Sequence, residues 1–208
     1  MARYLDIHPQ DPQPRLVSQA AQAIADGGLI AYPTDSGYAL GCAIGNQEGK
    51  ERIASIRRLD DRHHYTLICS SFAQLGQLVL IDNSVFRAIK AATPGPFTFI
   101  LPATKEVPRR LMHPKKKTVG VRLPDHRLVS ALLAEVGEPL LSSTLILPGQ
   151  DEPLTEGWVV GDEIGHLLDV IIEGECGLEP TTVVDLSGRE PVIARQGAGD
   201  SRLFVDPE

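Results

Sequence analysis

Two periods of apolar residues alternate along the chain. Between Pro14 and Asp26, Val17, Ala20, Ala21 and Ile24 recur at helical spacing behind a leading proline, and Gly27-Gly28 closes the stripe. The same period predicts helices over 47–58, 71–78, 83–92 and 126–136, the last with Leu128, Val129, Leu132, Leu133 and Val136 on one face. Shorter apolar or alternating runs predict strands at 29–32, 38–44, 65–69, 97–101, 118–123, 139–147, 169–172, 181–186 and 191–195. Pro33 is expected to end the first of these before a tight turn at Asp35-Ser36-Gly37. Connections of mixed length imply a mixed parallel and antiparallel sheet flanked by helices, in one α/β domain spanning 1–208. The stretch 148–166, rich in Pro and Gly, reads as an irregular, mobile cover over a cleft, with Trp158 as a hydrophobic plug.

Composition narrows the class. With 208 residues and 42% hydrophobic content, the chain can build a core without disulfides or metal. Cys42, Cys69 and Cys176 are odd in number and far apart, which predicts inert thiols rather than a disulfide framework or a zinc site. No apolar run approaches the roughly 20 residues of a membrane span, and the first residues lack the apolar core of a signal peptide, so a cytoplasmic protein is expected. A formal charge of −7 argues against indiscriminate nucleic-acid binding, yet the cations are gathered. Arg57, Arg58, Arg62, His63 and His64 form one island; Arg109, Arg110, Lys115, Lys116, Lys117 and Arg122 form another.

Several strand ends carry polar groups that a plain core does not need. Thr34 and Ser36 stand at the end of the strand before Gly37, where hydroxyls serve either a ligand or their own turn. Thr93-Pro94-Gly95-Pro96 sets Thr98 at the start of a strand, and Arg122 sits inside the apolar run Val119–Leu123. An arginine there needs a partner, either a protein carboxylate or an anionic ligand. Ser142-Ser143-Thr144 ends another strand in three hydroxyls, which bond phosphate or local backbone equally well. Thr181-Thr182 and Arg195, beside Gly197 and Gly199, add further hydroxyls and a cation. His63 and His64 are adjacent, unlike the i, i+4 pairs that ligate metal from a helix, and read as a solvated or RNA-facing loop. No metal site is expected.

Taken in order, these segments resemble the YrdC/YciO-like family, whose members include threonylcarbamoyl-AMP synthases. The resemblance spans about residues 14–199. It rests on Tyr32-Pro33-Thr34-Asp35-Ser36-Gly37-Tyr38-Ala39-Leu40-Gly41, Thr93-Pro94-Gly95-Pro96-Phe97-Thr98, Val121-Arg122-Leu123-Pro124, Thr181-Thr182-Val183-Val184-Asp185 and Arg195-Gln196-Gly197-Ala198. The first and fourth are worded most like the YciO branch. The resemblance implies a twisted sheet with a large, concave, positively charged cleft. It implies an activity joining L-threonine, bicarbonate and ATP, with Mg²⁺ on the triphosphate, to give threonylcarbamoyl-AMP and pyrophosphate for tRNA modification. Some members bind double-stranded RNA, so RNA is a further expected partner. By matching positions, Thr34 and Tyr38 look like threonine-side residues, Arg122 like a carboxylate or phosphate binder, and Arg195 like a phosphate contact. Arg57, Arg58, Ser142 and Thr144 complete the expected nucleotide side. Arg57, Arg58, Arg62, Arg109, Arg110, Lys115, Lys116 and Lys117 are the expected RNA contacts.

Two departures from the family pattern bear on activity. Where the synthases carry Lys-Gly-Arg-Pro, this chain has Arg57-Arg58-Leu59-Asp60, exchanging a compact ammonium for a planar guanidinium and losing the second cation at Leu59. Where they carry Ser-Ala-Asn, it has Thr144-Leu145-Ile146, and Ile146 cannot replace an amide. Losing two such contacts predicts synthase activity lower by on the order of 10²- to 10⁴-fold. The alternatives to a weak synthase are a non-catalytic double-stranded RNA-binding protein and an enzyme of altered substrate.

Overall fold

A computed structural model describes residues 2–60 and 63–204. Arg62, expected among the RNA contacts, lies outside the described residues. The elements in chain order are β1 (Arg3–Asp6), α1 (Pro14–Ala25), β2 (Ile30–Thr34), β3 (Gly37–Ala43), α2 (Gln47–Arg57), β4 (Thr66–Ile68), α3 (Phe72–Leu78) and α4 (Asn83–Ala92). There follow β5 (Phe97–Pro102), β6 (Thr118–Arg122), α5 (Arg127–Val136), β7 (Leu140–Thr144), α6 (Gly157–Ile164), β8 (Val170–Glu173), β9 (Thr182–Asp185) and β10 (Val192–Arg195). The strands form one sheet in the order β1-β8-β2-β3-β7-β4-β6-β5-β9-β10. Four neighbouring pairs are parallel (β1 with β8, β8 with β2, β4 with β6, β5 with β9) and the other five antiparallel, which is the mixed sheet the connection lengths implied.

Local chemistry accounts for the helix ends. α1 opens on Pro14 and ends before Gly27, whose φ of 86° suits a residue without Cβ. Asn46 caps α2 by accepting from the Gly49 amide at 2.8 Å, and Ser71 and Asp82 cap α3 and α4 in the same way.

Strand β2 runs through Pro33 to Thr34, two residues further than the proline suggested. Pro33 stands opposite Tyr38, whose amide donates to Leu154 O and whose carbonyl accepts from Leu145, so the pair exchanges no hydrogen bonds. The missing N–H therefore costs nothing there.

Each face of the sheet buries its own apolar set. Ile30, Tyr32, Leu140 and Ile172 face α1 and α5. Tyr38, Leu40, Leu67, Phe99, Val121 and Val184 face the other way, into a larger core with residues of α2, α3, α4 and α6. The cluster beneath α1 and α5 reaches Ile68 of β4 and includes no described residue of β5, β6, β9 or β10. Half of that face therefore lacks a helical cover, and there the strands show Thr98, Ile100, Gly120 and Val183.

The stretch 148–166 departs from expectation. It holds α6, which packs Val160 and Ile164 into the core, and Leu154 donates to Leu145 O and accepts from the Tyr38 amide. Those bonds tie it to the sheet beside β3. Trp158 is no plug: it is 64% exposed. No helix of the described residues is long and apolar enough to cross a membrane.

Candidate functional site

The uncovered half-face is the floor of a cavity of about 300 Å³. Its position follows from strand lengths. β4 pairs with β7 only as far as Ser142, so Ser143 and Thr144 run on without a neighbour on that side, and the chain of His63 and His64 stands off from them. Gly120 at the bottom leaves room for Thr66: a Cβ there would lie 2.9 Å from Thr66 Oγ1 and from Tyr65 O.

Two guanidiniums enter from opposite ends. Arg57, in the last turn of α2, donates to Ser143 Oγ at 2.5 Å and through Nε to Ile146 O at 3.3 Å. Arg195, at the end of β10, donates through Nε and Nη2 to Thr181 O and Oγ1, both at 3.0 Å, and Thr181 Oγ1 lies 3.0 Å from Thr98 Oγ1. Among the described residues neither arginine forms an ion pair. Burial, and then the field of Arg195, pulls the Arg57 pKa down to about 10, and burial followed by the field of Arg122 lowers that of Arg195. Arg57 remains cationic at neutral pH, in a partly desolvated site where an anion would relieve both costs.

Arg122 has a different environment. It is 4% exposed, donates through Nη1 to Ser36 Oγ at 2.8 Å, and pairs through Nη2 with Asp35; its Nε has no partner. Of the two partners the sequence allowed, the structure supplies the protein carboxylate. Thr34 is equally occupied, donating to Gly37 O at 2.8 Å and accepting from the Ser36 amide at 3.1 Å, which closes the β2–β3 turn. The Tyr38 hydroxyl donates to Ile172 O at 3.1 Å inside the core, where burial raises its pKa. Ser142 donates to Leu40 O at 3.0 Å and accepts from the Tyr32 hydroxyl at 2.7 Å. None of these four residues lines the cavity; Arg57, Thr144 and Arg195 do.

Of the remaining basic residues, Arg58 ends α2 in the left-handed conformation, φ 50°, and is exposed outside the cavity. Leu59 packs against the core. Arg109 and Arg110 lie on an exposed 3₁₀ turn, with Arg110 donating to Gly45 O at 2.7 Å. Lys115, Lys116 and Lys117 are exposed just ahead of β6, with Lys116 3.5 Å from Asp185. The His113 ring of that loop stacks on His64 at 4.8 Å, which joins the lysines to the rim of the cavity.

His63 and His64 line the cavity itself rather than an open loop. His63 Nε2 lies 3.5 Å from Ser143 Oγ, and burial together with Arg57 and His64 pulls its pKa down to about 4. His64 Nε2 lies 3.1 Å from Thr118 Oγ1. The available signal was their place directly before a strand, where the chain already joins the sheet at Tyr65, whose carbonyl accepts from the Gly120 amide. Cys42 and Cys69 are buried, with pKa values pushed up to about 12 by desolvation.

Residues 22–197 match the model of the family described as Telomere recombination (Sua5, YciO, YrdC). The chain belongs to this family. It is similar to the uncharacterized protein YciO of Escherichia coli (strain K12), with 46% identity over 99% of this chain and 100% of that one. The crystal structure of E. coli YciO superimposes with a TM-score of 0.96. A threonylcarbamoyl-AMP synthase of Vibrio vulnificus (strain YJ016) is 33% identical over 87% of this chain and 98% of its own. The structure of P. abyssi Sua5 complexed with L-threonine matches at 26% identity and a TM-score of 0.86, covering 94% of this chain and 58% of that one. The ten-stranded mixed sheet is thus the architecture of the Sua5/YciO/YrdC family.

Proposed function

We propose that the cavity binds the phosphates of ATP and that the protein forms threonylcarbamoyl-AMP from L-threonine, bicarbonate and ATP at low turnover. The observation that carries this reading is the pair Arg57 and Arg195, held by hydroxyls and carbonyls and balanced by no described carboxylate. The reaction needs no protein nucleophile. A carbamate oxygen of the carboxylated threonine attacks the α-phosphorus and pyrophosphate leaves, so positioning and neutralisation of phosphate charge supply the catalysis. Arg57 and Arg195 neutralise that charge, while Thr98, Ser143, Thr144 and Thr181 supply hydroxyls that orient phosphate oxygens. The described cavity lining contains no carboxylate, so Mg²⁺ would travel on the triphosphate. Ile146 lines the cavity with a side chain that bonds no phosphate, which is the reason for low turnover. Pyrophosphate release with ATP, bicarbonate and each amino acid in turn tests the reading. Threonine-dependent release on the order of 10²- to 10⁴-fold below an established synthase is expected; release that no amino acid raises above the amino-acid-free background would refute synthase activity.

A second reading, binding of duplex RNA across the same rim, is favoured by the exposed Lys115–Lys117 segment joined to the cavity through His113 and His64. Such binding would depend on salt more than on sequence.

A further inference from the structure

The cavity carries a third group whose charge is not fixed. His63 shares Ser143 with Arg57. Ser143 Oγ accepts from Arg57 at 2.5 Å, so its one proton is free to point at His63 Nε2, 3.5 Å away, with the imidazole neutral and its proton on Nδ1. The ring edge packs on Tyr65 at 5.4 Å, and the His63 amide donates to Asp60 O at 3.1 Å, so the imidazole is held facing Ser143.

We propose that His63 is a conditional cation of the anion site: neutral while the cavity is empty, it takes one proton from solvent when a polyphosphate seats beside Arg57. The proposal rests on the anion-binding reading given above. Protonation at Nε2 turns an acceptor into a donor, and the Ser143 hydroxyl, released from the imidazole, turns its proton to the ligand. One ligand oxygen then meets donors from Arg57, Ser143 and His63.

The charges around His63 set the sign. From α2, Arg57 opposes protonation, and from the adjoining chain His64 does the same; Asp60 acts the other way, and burial outweighs it, leaving the group near 4. Arg195, opposite, acts on Arg57, whose charge it opposes. A polyanion reverses that field. If the ligand returns His63 to its ordinary value of 6.5, affinity rises about tenfold between pH 7.5 and pH 5.5, because the complex binds a proton there and the free protein does not.

The test is NMR titration of the His63 ring in the wild-type protein, alone and with saturating sulfate, an anion that does not itself ionise in this range. Alongside it, the affinity for inorganic triphosphate is measured from pH 7.5 to 5.5 in wild type and His63→Gln. We expect a midpoint at least one unit higher with sulfate, and a pH-dependent gain for wild type about tenfold steeper than for His63→Gln. Anion binding with an unmoved His63 midpoint and parallel pH profiles would overturn the proposal and leave the anion site standing. Absence of sulfate and triphosphate binding at every pH would overturn both.

Discussion

Replacing Asp35 with Ala should cost more stability than any other single change at the sheet's polar positions. The Asp35 and Arg122 side chains are 14% and 5% exposed, and they pair within a turn closed by Thr34 and Ser36. Without the carboxylate, Arg122 keeps the Ser36 hydroxyl as its partner while its charge stays buried. Removing one partner of a buried pair typically costs about 3–5 kcal/mol. Asp35 Oδ2 also accepts from the Asp125 amide at 3.2 Å, and the loss of that bond adds about 1 kcal/mol. For a chain of 208 residues, a loss near 5 kcal/mol lowers the melting temperature by roughly 10–20 °C. Urea unfolding of Asp35→Ala, Arg122→Met and the double variant supplies the assay. The double variant should be more stable than Asp35→Ala, since it removes the orphaned charge. A loss below about 1 kcal/mol in Asp35→Ala, or a double variant weaker than either single one, would refute the claim that Arg122 is a structural clamp.

The synthase reading predicts that Leu59→Arg with Ile146→Asn raises threonine-dependent pyrophosphate release, by about tenfold for each 1.4 kcal/mol of transition-state stabilisation regained. Ile146→Asn alone should carry most of the gain, because Leu59 packs against the core and does not line the cavity. A folded double variant without gain argues against Ile146 as the deficit. If duplex RNA binds, Lys115→Ala, Lys116→Ala and Lys117→Ala together should flatten the log K against log salt slope by about 2 units, since Lys116 is already engaged with Asp185. Fluorescence anisotropy that returns the wild-type slope would show that these lysines do not touch phosphate.

Most of the sheet could be read from periodicity because its strands are buried on one or both faces, which leaves an apolar run for each. β1 escaped, for a physical reason: of Arg3–Asp6 only Leu5 is buried, and its parallel partner β8 lies at the far end of the chain. α6 escaped because its glycines read as breakers. Gly161 is there because the Tyr4 hydroxyl occupies the place of a side chain: a Cβ would fall 1.3 Å from it. At the site, residue type located the hydroxyls and cations but could not say which of them were already spent. Thr34, Ser142 and Arg122 carry the same chemistry as Thr144, Ser143 and Arg195, and only pairing register and packing separate those that close turns from those that line the cavity. Adjacent Ser142 and Ser143 show this most simply: Ser142 is bonded to Tyr32 and Leu40, whereas Ser143, just past the end of the β4–β7 pairing, lines the cavity.

The central claim is that Arg57 and Arg195 are cations kept for an anionic ligand rather than for the fold, and ATP binding by isothermal titration calorimetry to wild type, Arg57→Met and Arg195→Met tests it most directly. Charged hydrogen bonds to phosphate contribute about 1.5–3 kcal/mol each, so either variant should bind ATP roughly 10- to 100-fold more weakly. Both should melt at or above the wild-type temperature, because each change removes a partly desolvated charge with no carboxylate partner among the described residues. Variants that bind ATP as tightly as wild type, or that lose as much stability as Asp35→Ala, would contradict it.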